Sequence, residues 1–310
     1  MVLLNVVIFI MASLVLVKSA SYAVRRISAV AHNLRFSEFF IAFVIAGFVS
    51  IMPEFFIGIN SAFIGSPELG LGTVIGSNIA DLTLVIGFIA LVGKKINADT
   101  KILKNNLYFL IVTSLPILLM IDGNLSRDDG IFLVLSFSVY MWHLIKKEKM
   151  FSKRKAPNQL SLAKNIVYFI ASMAVLFLSA HLIVENAVII SVTFLIPSII
   201  VGLFIVSIGT TLPELTFSLR AVLAKHKEIA FGDILGNVAV DSTLTIGVMA
   251  IIRPISTDFS VFATSAFFMI FAALTVAALL QAEKKVTWKE SFLLFLIYAF
   301  FVLIELKLIA

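Results

Sequence analysis

Long apolar runs separated by short polar breaks dominate this chain. A helix needs about 20 predominantly apolar residues to cross the hydrocarbon core of a bilayer. Ten stretches meet that need, at roughly residues 2–24, 37–64, 68–93, 104–121, 129–146, 165–184, 197–223, 229–251, 259–282 and 290–308. No credible strand with alternating polarity interrupts them, and no soluble domain is inserted. The pattern predicts an all-α polytopic membrane protein with ten transmembrane helices. The first run passes into a polar turn without a small-residue cleavage site, so it reads as a membrane helix and not a removed signal peptide.

Charge distribution gives these helices a direction. Twenty basic residues fall in alternate breaks: Arg25, Arg26 and Arg35; Lys94, Lys95, Lys101 and Lys104; the cluster from Lys146 to Lys164; Arg220, Lys225 and Lys227; and Lys284, Lys285 and Lys289. The other side holds only Arg127, Arg253 and Lys307. The positive-inside rule places the rich side in the cytoplasm, which leaves both termini outside. The net charge of +6 therefore needs no nucleic-acid partner. The one sizeable linker, residues 147–164, divides the chain into residues 1–146 and 165–310, with five predicted helices each. An odd number per half turns the second half upside down, so the expected architecture is two inverted five-helix repeats.

The halves also repeat in sequence. Pro53-Glu54, Gly72, Gly76, Asp81 and Gly87 recur without a gap, 160 residues later, as Pro213-Glu214, Gly232, Gly236, Asp241 and Gly247. Thr83-Leu84 falls likewise on Thr243-Leu244. Ionisable groups at bilayer depth are costly and by default mark a transport path. Glu54 and Glu214 each lie 17 residues into a predicted helix, near the midplane. The proline before each removes a backbone donor and frees carbonyl oxygens near positions 49–50 and 209–210. Irregular backbone at that depth is tolerated where it lines a cavity or is buried in protein. Ser77 and Asp81 share a helix face, as do Asn237 and Asp241. The glycine pairs at small-xxx-small spacing let helices approach closely. Carboxylates, hydroxyls and carbonyls together are the donor set of a hard cation.

Composition narrows the chemistry further. Hydrophobic residues are 61% of the chain and charged residues 14%, which fits burial in lipid. The absence of cysteine excludes disulfides, thiolate metal sites and thiol nucleophiles. No Gly-x-x-x-x-Gly-Lys-Ser/Thr motif exists to bind ATP, which argues against a primary pump.

Gly209-Thr210-Thr211-Leu212-Pro213-Glu214 resembles the G-T-S-L-P-E signature of the cation/calcium antiporter superfamily, and Gly72-Thr73-Val74-Ile75-Gly76-Ser77-Asn78-Ile79-Ala80-Asp81 resembles its G-N-x-x-G-S-N-I partner motif. The resemblance spans both halves and is strongest to the small prokaryotic sodium/calcium exchangers. It implies secondary antiport of calcium against sodium by alternating access in the cytoplasmic membrane, with no enzyme activity and no cofactor. It implies calcium bound by Glu54, Glu214 and the backbone oxygens at Ser50 and Thr210. Sodium would use Ser77 and Thr211, Asp81 and Asp241 would form the central polar pair, and the first and sixth helices would slide. The chain is expected to function as a monomer.

Departures from the motif bear on the coupling ion. Ile51 stands where the family has a sodium-ligating serine, Asn237 and Val238 replace a Ser-Asn pair, and Asp81 replaces a usual asparagine. Four carboxylates at contact distance cannot all stay ionised without cations. Coupling to protons, or transport of magnesium, therefore stands beside sodium/calcium exchange. A cation channel and an intramembrane aspartyl protease using Asp81 and Asp241 are readings of other classes. Inverted repeats in one chain favour alternating access over a channel, and the glutamates and prolines fit ion ligation better than proteolysis.

The remaining charges have plainer readings. Asp233, Glu38 and Glu68 read as helix-start acids, with a place in the cytoplasmic entry path as the sharper alternative for Asp233; Glu185 and Glu305 read as interfacial, and Lys18 as a lysine snorkelling to the surface. The hydroxyls of Ser50, Thr210 and Thr211 are expected to ligate, in preference to bonding back to the preceding turn.

Overall fold

A computed structural model describes residues 2–34, 47–97, 100–145, 159–224, 227–257, 259–283 and 285–309. Arg35, Glu38, Lys225, Lys284 and the basic run from Lys146 to Lys155 lie outside the described residues.

The chain is helical almost throughout. In the first half run α1 (Val2–Asn33), α2 (Gly47–Ser50), α3 (Met52–Ile64), α4 (Pro67–Ala80), a π-helical turn at Asp81–Val85, α5 (Ile86–Gly93), β1 (Lys95–Asn97), α6 (Thr100–Leu119), β2 (Asn124–Leu125) and α7 (Arg127–Ile145). In the second follow α8 (Gln159–Phe194), α9 (Ser198–Ile200), a π turn at Val201–Val206, α10 (Ser207–Leu223), α11 (Lys227–Val240), a π turn at Asp241–Thr245, α12 (Ile246–Ile252), β3 (Ile255–Ser256), α13 (Phe259–Glu283), β4 (Lys285–Thr287) and α14 (Trp288–Ile309). Among the described residues six helical stretches are long and apolar enough to cross a membrane: Leu3–His32, Pro67–Gly93, Leu162–Phe194, Ser198–Leu223, Ala230–Ile252 and Phe262–Ala282. Large apolar side chains such as Leu3, Phe63, Val192 and Phe267 point outward, which suits a lipid surround.

The expectation of no strand needs correcting. β1 pairs antiparallel with β4, and β2 with β3. These ladders of two or three residues tie loop ends together and are too short to leave a periodic signal. Their pairing is informative about sidedness. β1·β4 joins two basic breaks, whereas β2·β3 joins two breaks of the basic-poor side. Lys227 Nζ also donates to the carbonyls of Gly93 (2.6 Å) and Lys95 (3.1 Å), holding a third basic break at the same end. A shift of 160 residues carries β1 onto β3 and Leu125 of β2 onto Lys285 of β4, so it exchanges one ladder for the other.

Burial ranks the helices. The apolar windows of Pro67–Gly93 and Ala230–Ile252 are 83% and 78% buried, so these stretches are central. Those of Leu3–His32 and Leu162–Phe194 are 28% buried. The latter two belong to α1 and α8, which lie along each other. Leu16, Ala20 and Ala23 of α1 and Leu176, Ala180, Ile183 and Ala187 of α8 belong to one buried cluster, with Ile51, Ile57 and Leu69.

Close backbone approach fixes the centre. A Cβ at Gly72 would clash with the backbone of Ile199, and one at Gly76 with the Leu203 carbonyl and Ser207 Oγ. α4 thus presses against α9 and the π turn behind it through glycine alone. At Gly209 the space is open, with nothing within 4 Å of an added Cβ. Gly209→Ala is therefore expected to leave the melting temperature unchanged or raise it, since alanine favours an α-helix over glycine by about 0.5–1 kcal/mol. A thermal melt of the detergent-solubilised protein checks this.

Candidate cation site

Two helix interruptions set the site. In the first half the helix breaks at Ile51 (φ −80°, ψ −3°), between α2 and α3, and Pro53 sits in the first turn of α3. In the second half Pro213 lies within the continuous helix α10. The sequence predicts a disrupted backbone at both prolines, and only the first shows a break. The second half instead carries its irregularity upstream, in the π turn Val201–Val206. A proline inside α10 still deprives Gly209 of its usual donor, four residues back.

The central helices supply the remaining groups. Asp81 and Asp241 are each the first residue of a π turn, at matching positions. A π turn inserts one residue into an α-helix, re-aims the side chains around it, and occurs often at functional sites. No propensity signal in the sequence marks it.

The structure buries all the candidates. Glu54, Asp81, Glu214 and Asp241 are at most 1% exposed, and Ser50, Ser77, Thr210, Thr211 and Asn237 are buried with them. Glu214 interacts electrostatically with Asp81, Glu54 and Asp241, and Asp241 with Glu54 and Asp81. The four carboxylates from both halves thus form one cluster. Asn237 links its parts: Nδ2 donates to Glu214 Oε1 at 2.9 Å, and Oδ1 accepts from Ser50 Oγ at 3.2 Å. Thr245 Oγ1 donates to Asp241 Oδ1 at 2.8 Å.

The donors stop there. Both oxygens of Glu54, both of Asp81, Glu214 Oε2 and Asp241 Oδ2 are buried without a hydrogen-bond partner among the described residues. A buried carboxylate oxygen without donors is costly, and among the described residues no arginine or lysine is buried to balance this cluster. The missing positive charge has to arrive as cations or protons. Among the described residues, no group of three or more His, Cys, Asp or Glu side chains forms a ready-made metal cage. The carboxylates are interleaved with hydroxyls, an amide and backbone oxygens, a set suited to a hard cation.

The threonines do not behave as expected. Thr210 Oγ1 donates to the Ser207 carbonyl at 3.0 Å, and Thr211 Oγ1 to the same oxygen at 2.8 Å. Ser77 Oγ likewise donates to the Val74 carbonyl at 3.0 Å. Their protons are spent on the preceding turn, while their oxygen lone pairs stay free to face a cation. Ser50 differs, because it reaches across to Asn237.

Other polar groups were missed in the sequence or sit differently from the reading given them there. Asn78 Nδ2 donates to Ser242 Oγ at 3.1 Å, a buried bond between the two halves. Asn78 lies in the quoted motif, but Ser242 matches Leu82 in the first half, so the repeat hides it. Asp233 is 2% exposed and not a solvated helix-start acid, because α11 begins two turns earlier. Glu305 is 1% exposed and accepts from Ser265 Oγ, so it is packed within the protein. Glu185 is half-exposed beside His181, at 3.4 Å.

Asn237→Ala removes both hydrogen bonds of the amide and strands Glu214 Oε1. Calcium affinity is expected to fall about 10–100-fold, the range for groups that orient metal ligands. Titration of radiolabelled calcium on the purified protein measures it.

Comparison with known proteins places this geometry. The family profile described as Sodium/calcium exchanger protein matches residues 4–146 and again 164–307. A protein of Alkalimonas amylolytica named as an antiporter, CaxA, is 30% identical over 287 residues, covering 89% of each chain. The solved sodium-calcium exchanger NCX_Mj aligns with a TM-score of 0.71 at 23% identity, over 97% of this chain and 99% of the other. The solved H+/Ca2+ exchanger CAX aligns at 0.80 and 16% identity, over 98% and 87%. At these identities the two structures speak for the fold alone.

Proposed function

The chain belongs to the sodium/calcium exchanger protein family, and from that premise we propose that it exchanges calcium for sodium across the cytoplasmic membrane by alternating access. The observation that carries the proposal is the buried four-carboxylate cluster drawn from both halves, with oxygens that lack donors. Calcium brings two positive charges to offset those of the carboxylates. Sodium ions or protons supply the same charge when calcium leaves. Competition for one set of oxygens couples the two fluxes, because the unfilled cluster is costly to close off from water.

The proposed architecture is ten membrane helices in two inverted repeats, residues 1–146 and 165–310, working as a monomer with both termini outside. The exchange of β1·β4 for β2·β3 under the 160-residue shift supports it, as does the grouping of basic breaks at one end. The sliding elements would be α1 and α8, which run side by side and are the least buried of the six spanning stretches. The central helices would stay fixed, since Gly72 and Gly76 leave no slack between backbones. Ligands would be Glu54, Glu214 and the backbone oxygens at Ser50 and Thr210 for calcium. Ser77, Thr211, Asp81, Asp241 and Asn237 would complete the counter-ion positions.

One observation favours proton coupling as the second reading. Ile51 is fully buried at the helix break and offers no side-chain oxygen, while Asn237 already supplies a donor to Glu214. Both features reduce the number of sodium positions. Proteoliposomes loaded with sodium, or with acid at constant sodium, and supplied with radiolabelled calcium outside decide between them. The sodium reading expects uptake to follow the outward sodium gradient and to persist when the pH gradient is collapsed. Uptake driven by the pH gradient alone would transfer the coupling to protons. Absence of calcium uptake under either gradient would overturn the calcium assignment.

A further inference from the structure

Two buried polar groups lie one helical turn from the cation site, and neither has a hydrogen-bond partner among the described residues. Asp233 is 2% exposed and neither of its carboxylate oxygens accepts a hydrogen bond. Ser218 is fully buried, and its hydroxyl is equally unpaired. They belong to α11 and α10, which pack against each other and are joined by a short connection.

Register makes them neighbours. The bond from Asn237 to Glu214 sets one rung between these antiparallel helices. Ser218 follows Glu214 by four residues, and Asp233 precedes Asn237 by four. Both steps lead the same way, about 5–6 Å toward the α10–α11 connection. On this register Ser218 and Asp233 fall at the next rung, and they do not bond to each other. Asp233 is also close enough to Asp81 for their charges to interact.

The rung is not a product of the duplication. The matching positions in the first half are Gly58, which has no side chain, and Thr73, whose hydroxyl donates to the Leu69 carbonyl at 2.8 Å. Only the second half carries this carboxylate.

We propose that Asp233 and Ser218 form a separate subsite for a monovalent cation, sodium by its preference for hard oxygen donors. One carboxylate and one hydroxyl bring a single negative charge. A sodium ion balances it, whereas a divalent ion would leave a positive charge buried at high cost. The subsite rests on the exchanger reading only for its sidedness, which puts it between the central carboxylates and the cytoplasm. There it would hold a sodium ion that has yet to enter the central site or has just left it.

The test is equilibrium binding of radiolabelled sodium to the full chain in detergent, with the central site disabled by Glu54→Gln and Glu214→Gln together. Saturable sodium binding should remain in that background, and adding Asp233→Asn or, separately, Ser218→Ala should weaken it roughly tenfold or more. The serine variant keeps the test decisive where the aspartate variant fails to fold. Three results would each overturn the subsite: no saturable sodium binding in the disabled background, binding that neither substitution alters, and displacement by calcium at lower concentration than by sodium. The exchanger reading fails on a different result, namely no calcium transport by the unsubstituted chain, and the sodium-binding result stands apart from it.

Discussion

Glu54→Gln and Glu214→Gln are each expected to lower gradient-driven calcium uptake by roughly 100-fold or more, since even groups that only orient a metal ligand cost 10–100-fold when lost. Each substitution keeps the shape of the side chain and removes one of the charges that face calcium. Glu54 lies beside Thr210, whose hydroxyl donates to the Ser207 carbonyl, so a cation is the partner its oxygens lack. Glu214 has Asn237 on one oxygen and nothing on the other. Loss of uptake need not mean loss of fold. Replacing a buried carboxylate with a neutral amide removes a desolvation cost, so melting temperature should hold or rise while transport collapses. Uptake in proteoliposomes and a thermal melt on the same preparations separate the two effects. Uptake within a few-fold of the unsubstituted protein would remove both glutamates from the ligand set.

Gly76→Val should instead cost the fold. Even a Cβ at this position would meet the carbonyl of Leu203 and the hydroxyl of Ser207, and the first of these is backbone that cannot rotate away. Overpacking a tight interface costs typically 1–3 kcal/mol and occasionally more, and a branched side chain against backbone belongs at the upper end, about 3 kcal/mol. The expected result is a fall in melting temperature with loss of transport, in contrast to the neutral or stabilising Gly209→Ala. Fluorescence-detected size exclusion after a heating series measures both. A Gly76→Val protein that melts normally would mean α4 does not press on the π turn Val201–Val206 as described.

Much of this was legible in the sequence because it depends on period and repetition. Apolar run length predicts the helices, and six of the described ones meet the length and hydropathy of a span. The 160-residue repeat singles out Glu54, Glu214, Asp81 and Asp241, which the fold gathers in one buried cluster. What escaped breaks the repeat or leaves no periodic trace. Asp233 corresponds to Thr73 and Ser218 to Gly58 in the other half, so the repeat gives neither a matching residue. Ser242 is hidden for the same reason. The π turns at Asp81 and Asp241 arise from packing of the central helices and have no composition of their own. The two prolines look alike in sequence, yet the backbone breaks only at Ile51, because α10 runs through Pro213 as one helix. The bond from Ser265 to Glu305 joins residues 40 apart on α13 and α14 and leaves no local trace in the sequence.

The central claim is that one site, open to one side at a time, carries calcium across. Counterflow tests it most directly. Proteoliposomes preloaded with unlabelled calcium, with no sodium or pH gradient and the membrane potential clamped, are given a trace of radiolabelled calcium outside. The account predicts transient accumulation of label inside above its equilibrium level, abolished by Glu54→Gln. Label that merely equilibrates, at a rate that internal calcium does not accelerate, would describe a channel and contradict it.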